Sequence, residues 1–201
     1  MDQQDQKREQ IIDAALKRFA HFGLNKTTMN EIAGDLNFSK ALLYYYFPDK
    51  LSLYAAVLEQ VFAEITEVID KALQDAKTPE SAIKIYIEAR KSFLEKYFPI
   101  LDFNKFLNAE KYQVLKKLLN KSNESEIGHI KNIIQIGINA GNYQVKDIEY
   151  IAKLLFDAIL GVRIIYINTA QVQFGIDKDF LNMISNRQKD IMSIFLKGLE
   201  K

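Results

Sequence analysis

Lys40, Ala41, Tyr44 and Tyr45 lie in the run SKALLYYYF, Ser39 to Phe47. At about 100° per residue these four fall within an arc of roughly 140° on a helix. Leu42, Leu43, Tyr46 and Phe47 fall on the opposite side. One cation, one small side chain that permits close approach and two phenols make a face able to give charge and hydrogen bonds to anionic oxygens such as phosphate. The opposite side supplies apolar anchors, with Tyr46 at its edge and its hydroxyl reaching outward. On helix geometry alone, a solvated surface or a tyrosine-rich protein interface fits the outward face equally well. The preceding residues favour the first reading. Ile32, Ala33, Leu36, the turn at Asn37, then Phe38 and Leu43 have the spacing of a helix-turn-helix. In that motif the second helix enters the DNA major groove. The exposed face would then be Lys40, Ala41, Tyr44 and Tyr45, with Ser39 as the cap at its start.

The elements that must position this face are helical. Eight Gly and three Pro in 201 residues leave little turn punctuation, and strand alternation is nearly absent. A first helix is expected from about Lys7 to Phe22, with Gly23 as its C-terminal cap. Thr28 and Glu31 form a Thr-x-x-Glu capping box for a short second helix. That helix ends at Asn37, a residue that tolerates the left-handed conformation. Pro48 and Asp49 stop the third helix, and Asp49 caps a long fourth one from Lys50 to about Asp75. Thr78-Pro79-Glu80 opens a helix to about Phe98. The stretch Leu101 to Leu119 is less periodic and is expected to hold one or two helices. NKSNESE then reads as a polar link before helices Ser125–Ala140, Asp147–Thr169 and Asp177–Leu199. The fold class expected is all-α. An N-terminal three-helix bundle, residues 1–50, is joined by a long helix to an all-helical body, residues 51–201.

Composition narrows the chemistry. At 48% hydrophobic and 26% charged, the chain has the mass for a sizeable core. With no cysteine, disulfides, thiolate metal sites and cysteine nucleophiles are excluded together. Two histidines, no Gly-rich phosphate loop and no HExxH offer no catalytic residue, metal site or cofactor. The polar N-terminus lacks a signal-peptide pattern, which points to the cytoplasm. The most apolar run, Leu154 to Ile167, is short for a membrane span and carries Asp157 and Arg163. Net charge is +1, and residues 1–50 hold seven basic and seven acidic side chains. Any affinity for nucleic acid must therefore be local rather than bulk.

These residues resemble the N-terminal domain of the TetR family of bacterial transcriptional regulators. The matching stretches are IIDAALKRFAHFG, TTMNEIAGDL, SKALLYYYF and DKLSLY, in the family's order and spacing over about the first fifty-five residues. The segment IIQIGINAGNYQVKDIEYIAKLLFDAILG echoes the family's later helices. The resemblance implies a homodimer on a palindromic double-stranded operator, released when a small-molecule effector enters the C-terminal domain. By the same resemblance, Thr28 caps a helix beside the DNA backbone, Lys40 and Ala41 face the groove and Tyr44 holds a phosphate. Tyr45 reaches backbone or base, and Lys50 meets phosphate. Asn37 and Ala41 stand where the family more often has Gly. The added methyl at Ala41 could pack on a thymine methyl, so the base preference is this chain's own.

In the body, a helix from Asp147 that is apolar nearly all round is expected to be buried nearly all round. A two-fold interface on the last two helices would bury it, through Leu155, Ala158, Ile159, Val162 and Tyr166 with Ile184 and Ile191. A central core helix of a monomer is the other reading. Arg90 and His129 sit on apolar arcs and need partners. They are read either as structural, Arg90 in an ion pair and His129 on backbone, or as lining an effector cavity. The aromatic walls of that cavity would be Phe62, Phe93, Tyr97, Phe103 and Phe106, and Arg90 would favour an anionic ligand. A helical protein-interaction module without DNA binding, in which Tyr44 and Tyr45 meet protein, stays open as the alternative function.

Overall fold

The computed structural model describes residues 3–101, 106, 108, 112–170 and 178–201. Among these residues the fold is all-α. The helices are α1 (Gln3–Lys26), α2 (Met29–Asp35), α3 (Lys40–Tyr46), α4 (Lys50–Leu73), α5 (Pro79–Tyr97), α6 (Gln113–Asn139), α7 (Ile148–Ala170) and α8 (Lys178–Lys197). A single 3-10 turn, Phe98–Ile100, follows α5 at Pro99. No described helix is long and apolar enough to cross a membrane. The chain forms two compact units: Met1–Ala63 with Lys96–Asn120, and Glu64–Glu95 with Lys121–Lys201.

The helix ends follow the local signals. Gly23 interrupts α1 at φ 79 and ψ 160, a conformation open almost only to glycine. The Thr28 box is complete: the Glu31 amide donates to Thr28 Oγ1 at 3.3 Å, and the Thr28 amide donates to Glu31 Oε2 at 2.8 Å. Asn37 takes φ 53. Its amide donates to Gly34 O at 3.1 Å and the Phe38 amide donates to Ala33 O at 2.9 Å, the paired bonds of a Schellman ending. Ser39, Thr78 and Asp147 each accept an amide from three residues on. Each such cap contributes about 1 kcal/mol.

One expected boundary is absent. NKSNESE is not a link, because α6 runs unbroken from Gln113 to Asn139 through it. Ser and Asn lower helix propensity by only about 0.5 kcal/mol each, and the run has neither Pro nor Gly to break it. Apolar residues at helical spacing, Leu115 and Leu118 before it and Ile130, Ile133 and Ile134 after it, are buried along the same helix.

In the first unit, Ile11, Ile12, Ala15 and Phe19 of α1 are buried, as are Ile32, Ala33, Leu43 and Phe47 of the helix-turn-helix. The Phe19 ring meets Tyr54 edge-on at 5.7 Å, and the Tyr54 hydroxyl donates to Ile100 O at 2.7 Å. The second unit is built on one core cluster, including Ile83, Tyr86, Ile87, Ile130, Ile133, Ile134, Leu155, Ile159 and Met192. Tyr143 lies so close to Gly137 that a Cβ there would stand 2.2 Å from its ring.

Candidate nucleic-acid interface and the buried polar cluster

The helix-turn-helix is held as a block. Arg18 of α1 donates to both carboxylate oxygens of Asp35 and lies 3.6 Å from Glu31. The hydrogen bond and charge of Arg18 hold the Asp35 carboxyl below its ordinary range. Buried Leu43 and Phe47 anchor α3, with Leu42 and Tyr46 half-buried at its flanks. Arg8 stacks over the Phe47 ring, 5.3 Å from its centre. The sequence periodicity therefore assigns the two sides of α3 correctly.

The outward side presents Lys40, Ala41, Tyr44 and Tyr45 to solvent, with Thr28 and Ser39 also exposed. Tyr45 is 69% exposed and Tyr44 42%. The Lys40 ammonium sits 5.7 Å from the centre of the Tyr44 ring, so the cation and that phenol form one patch. Tyr45 packs edge-on against Tyr46 at 5.2 Å, and its hydroxyl accepts a hydrogen bond from Gln4 Nε2 at 2.9 Å. Gln4 was not among the expected site residues. It lies two turns before the first periodic apolar residue, and no local pattern marks it.

Lys50 faces inward. Its Nζ donates to Leu24 O at 2.8 Å and Thr27 O at 2.9 Å, and reaches Asn25 O at 3.4 Å. The expectation was a phosphate. The first residue of α4 instead finds the unpaired carbonyls where α1 ends, which carry partial negative charge.

The second unit brings Arg90 and His129 together, with four residues the sequence did not single out for the site. Arg90 Nη1 lies 2.9 Å from Glu126 Oε1, Arg163 Nη2 lies 2.9 Å from Glu126 Oε2, and the Tyr86 hydroxyl donates to the same Oε2 at 3.2 Å. Burial alone would raise the Glu126 pKa, but the two guanidinium groups hold it at about 2. Burial, then the Glu126 charge, pushes the Tyr86 phenol upward. His129 Nε2 lies 3.0 Å from Asp70 Oδ1. Burial drives its pKa down against the pull of Asp70. His129 Nδ1 and Arg163 Nε are buried without a hydrogen-bond partner among the described residues. Arg90 thus has the ion pair of its structural reading, and His129 is held by a side chain rather than by backbone. Arg163 had a signal: it falls on the buried arc of α7 beside Ile159 and Phe156, where a charge requires an acid. Phe93 is buried in this unit, whereas Phe62, Tyr97 and Phe106 belong to the first. Phe103 lies outside the described residues.

Some of the expected dimer residues lie in the core instead. Leu155, Ile159 and Ile184 are at most 1% exposed and form part of the unit's own core. Ala158, Val162, Tyr166 and Ile191 are half-buried at the edge of that core. The most apolar arc of a helix goes first to its own chain. The outward apolar residues are Tyr150, Leu154, Ile164 and Ile165 of α7 and Met183 and Ile194 of α8.

Comparisons with known proteins agree with this architecture. The sequence pattern of "Bacterial regulatory proteins, tetR family" matches residues 11–57. A transcriptional regulator from Cytophaga hutchinsonii ATCC 33406 is similar over 97% of this chain and 99% of its own, with 31% identity and a TM-score of 0.81. A TetR-family regulator structure from Mesorhizobium loti covers both chains fully at 22% identity, TM-score 0.76, a likeness of fold. The HTH-type transcriptional regulator RutR of Escherichia coli K12 is 40% identical over 84 residues, 42% of this chain and 39% of RutR. The chain thus matches about two fifths of the length of that curated relative. The helix-turn-helix geometry, the matched pattern and the full-length likeness lead to one conclusion: this chain belongs to the tetR family of bacterial regulatory proteins.

Proposed function

We propose that the chain is a DNA-binding transcriptional regulator, a homodimeric repressor that holds a palindromic operator and leaves it when a small organic effector binds. Residues 1–50 carry DNA binding, and residues 51–201 carry effector binding and dimerisation in the cytoplasm. The observation that carries the reading is the outward face of α3. Lys40, Ala41, Tyr44 and Tyr45 are exposed on a helix whose other side is locked into the helix-turn-helix. Tyr44 holds phosphate, Tyr45 reaches backbone or base, and Lys40 and Ala41 face the groove and its base edges, with Thr28 and Ser39 beside the backbone. The outward apolar residues of α7 and α8 supply the two-fold contact, a self-complementary patch on each copy. Balanced charge over residues 1–50 keeps non-specific affinity modest.

Fluorescence anisotropy with duplexes tiled across the DNA upstream of the chain's own coding sequence tests this. One duplex should bind, with an affinity that falls steeply as salt rises. If no duplex binds in a salt-dependent way, the outward phenols serve a protein partner instead.

A further inference from the structure

The buried cluster in the second unit is unbalanced in charge and in hydrogen bonding. Two guanidinium groups, Arg90 on α5 and Arg163 on α7, share one carboxylate, Glu126 on α6. Their side chains are 9% and 14% exposed and that of Glu126 is 7%. The other acid close by, Asp70, is 59% exposed in its side chain and engages His129. Among the described residues the buried groups therefore sum to one positive charge, which a low-dielectric interior disfavours. Arg163 Nε is a donor without an acceptor among the described residues. With an Asp70 carboxylate accepting from Nε2, the imidazole proton sits on Nε2, and the unpartnered Nδ1 presents a lone pair.

We infer that this cluster is the effector's head-group site and takes a small organic monoanion carrying a hydrogen-bond donor. The anionic group pairs with Arg163 and Arg90, and the donor meets His129 Nδ1. In the ligand-free chain Glu126 occupies the guanidinium groups as an internal competitor. An incoming carboxylate displaces part of that pairing and brings the buried charge to zero. The exchange acts on α7, which carries Arg163 on its inner side and Leu154 and Ile165 on its outer side. This inference rests on the reading of the chain as an effector-responsive regulator and assigns that effector's chemical class.

The test uses the full chain with benzoate, its neutral isostere benzamide and the three hydroxybenzoates, read by calorimetry and thermal shift. Benzoate should bind and raise Tm, and benzamide should do neither. At least one hydroxybenzoate should bind more tightly than benzoate, an advantage lost in His129→Phe. Glu126→Gln, which removes the competitor, should bind benzoate at least tenfold more tightly than the unaltered chain. Arg163→Lys, which keeps the charge and loses the fork, should bind at least tenfold more weakly. Absence of benzoate binding to both the unaltered chain and Glu126→Gln overturns the inference, as does parity with benzamide or a Glu126→Gln variant no tighter than the original. Operator binding by the ligand-free protein is measured separately. Its loss would count against the regulator reading and leave the anion result standing.

Discussion

Replacing Lys50 with Met separates two roles that the residue type alone permits. Methionine keeps the apolar stem and removes the charge and all three donors. In the structure those donors reach Leu24 O, Asn25 O and Thr27 O, on the segment between Gly23 and the Thr28 cap of α2. A hydrogen bond to a charged group contributes about 1.5–3 kcal/mol. Lys50 is half-buried, so water can reach some of the freed carbonyls, and the net loss should be about 2–3 kcal/mol rather than the sum. For a chain of 201 residues, that corresponds to a fall in Tm of roughly 5–10 °C. Operator affinity should fall as well, because Thr28 and α2 lose their support. The salt dependence of that affinity should nevertheless stay the same, since no phosphate contact is removed. A lysine on phosphate would give the opposite pattern: unchanged Tm and a log–log salt slope shallower by about 0.9. Thermal unfolding of Lys50→Met together with anisotropy at several salt concentrations decides between them. An unchanged Tm with a shallower slope would refute the inward role.

The other predictions concern the DNA face, the outward apolar face and the buried acid. Tyr44→Phe removes one exposed hydroxyl and should weaken operator binding about five- to tenfold on every sequence tested, the loss expected of one hydrogen bond, with Tm unchanged. Ala41→Gly should instead change the preference at a single base pair, measured on a set of single-substitution operators. Ile194→Glu, at a residue 72% exposed, should shift sedimentation from dimer towards monomer while the monomer stays folded. Leu155→Ala, in the core, should cost about 2–5 kcal/mol in chemical denaturation. Glu126 has a folded pKa of about 2 against an ordinary 4.5. Its ionisation therefore stabilises the fold fully above pH 4.5, and the stabilisation is lost as pH falls through about 2. The part lost is on the order of 3 kcal/mol. Denaturation curves should show that loss in the original chain and a flatter acid limb in Glu126→Gln.

What was legible in the sequence was what short-range chemistry decides. The Thr28 box, the left-handed Asn37, the Ser39 cap and the division of α3 into two sides all depend on residues within one or two turns of each other. The unbroken α6 is hidden in the sequence because the polar run NKSNESE resembles a helix break. Asn and Ser weaken a helix only slightly, and tertiary packing of the apolar residues on either side outweighs them. The apolar arc of α7 is ambiguous for a different reason. Periodicity identifies an apolar arc but not whether it packs on its own chain or on another copy, and Leu155 and Ile159 go to the former. Glu126 and Arg163 lie 37 residues apart, and nothing in either local pattern gives the register of α6 against α7. Lys50 was assigned by its place in the family pattern, whereas its actual partners are backbone atoms, which leave no mark in a sequence.

The outward phenols of α3 have an optical consequence. The chain has ten tyrosines and no tryptophan, so its intrinsic emission comes from phenols alone. Tyr44 and Tyr45 are among its most exposed aromatic rings, and Tyr45 already lies edge-on to Tyr46. Bases or phosphates brought against these rings would quench part of that emission. The surface proposed to hold the operator is thus also a label-free reporter of its occupancy, and Tyr44→Phe and Tyr45→Phe would divide the signal between the two positions.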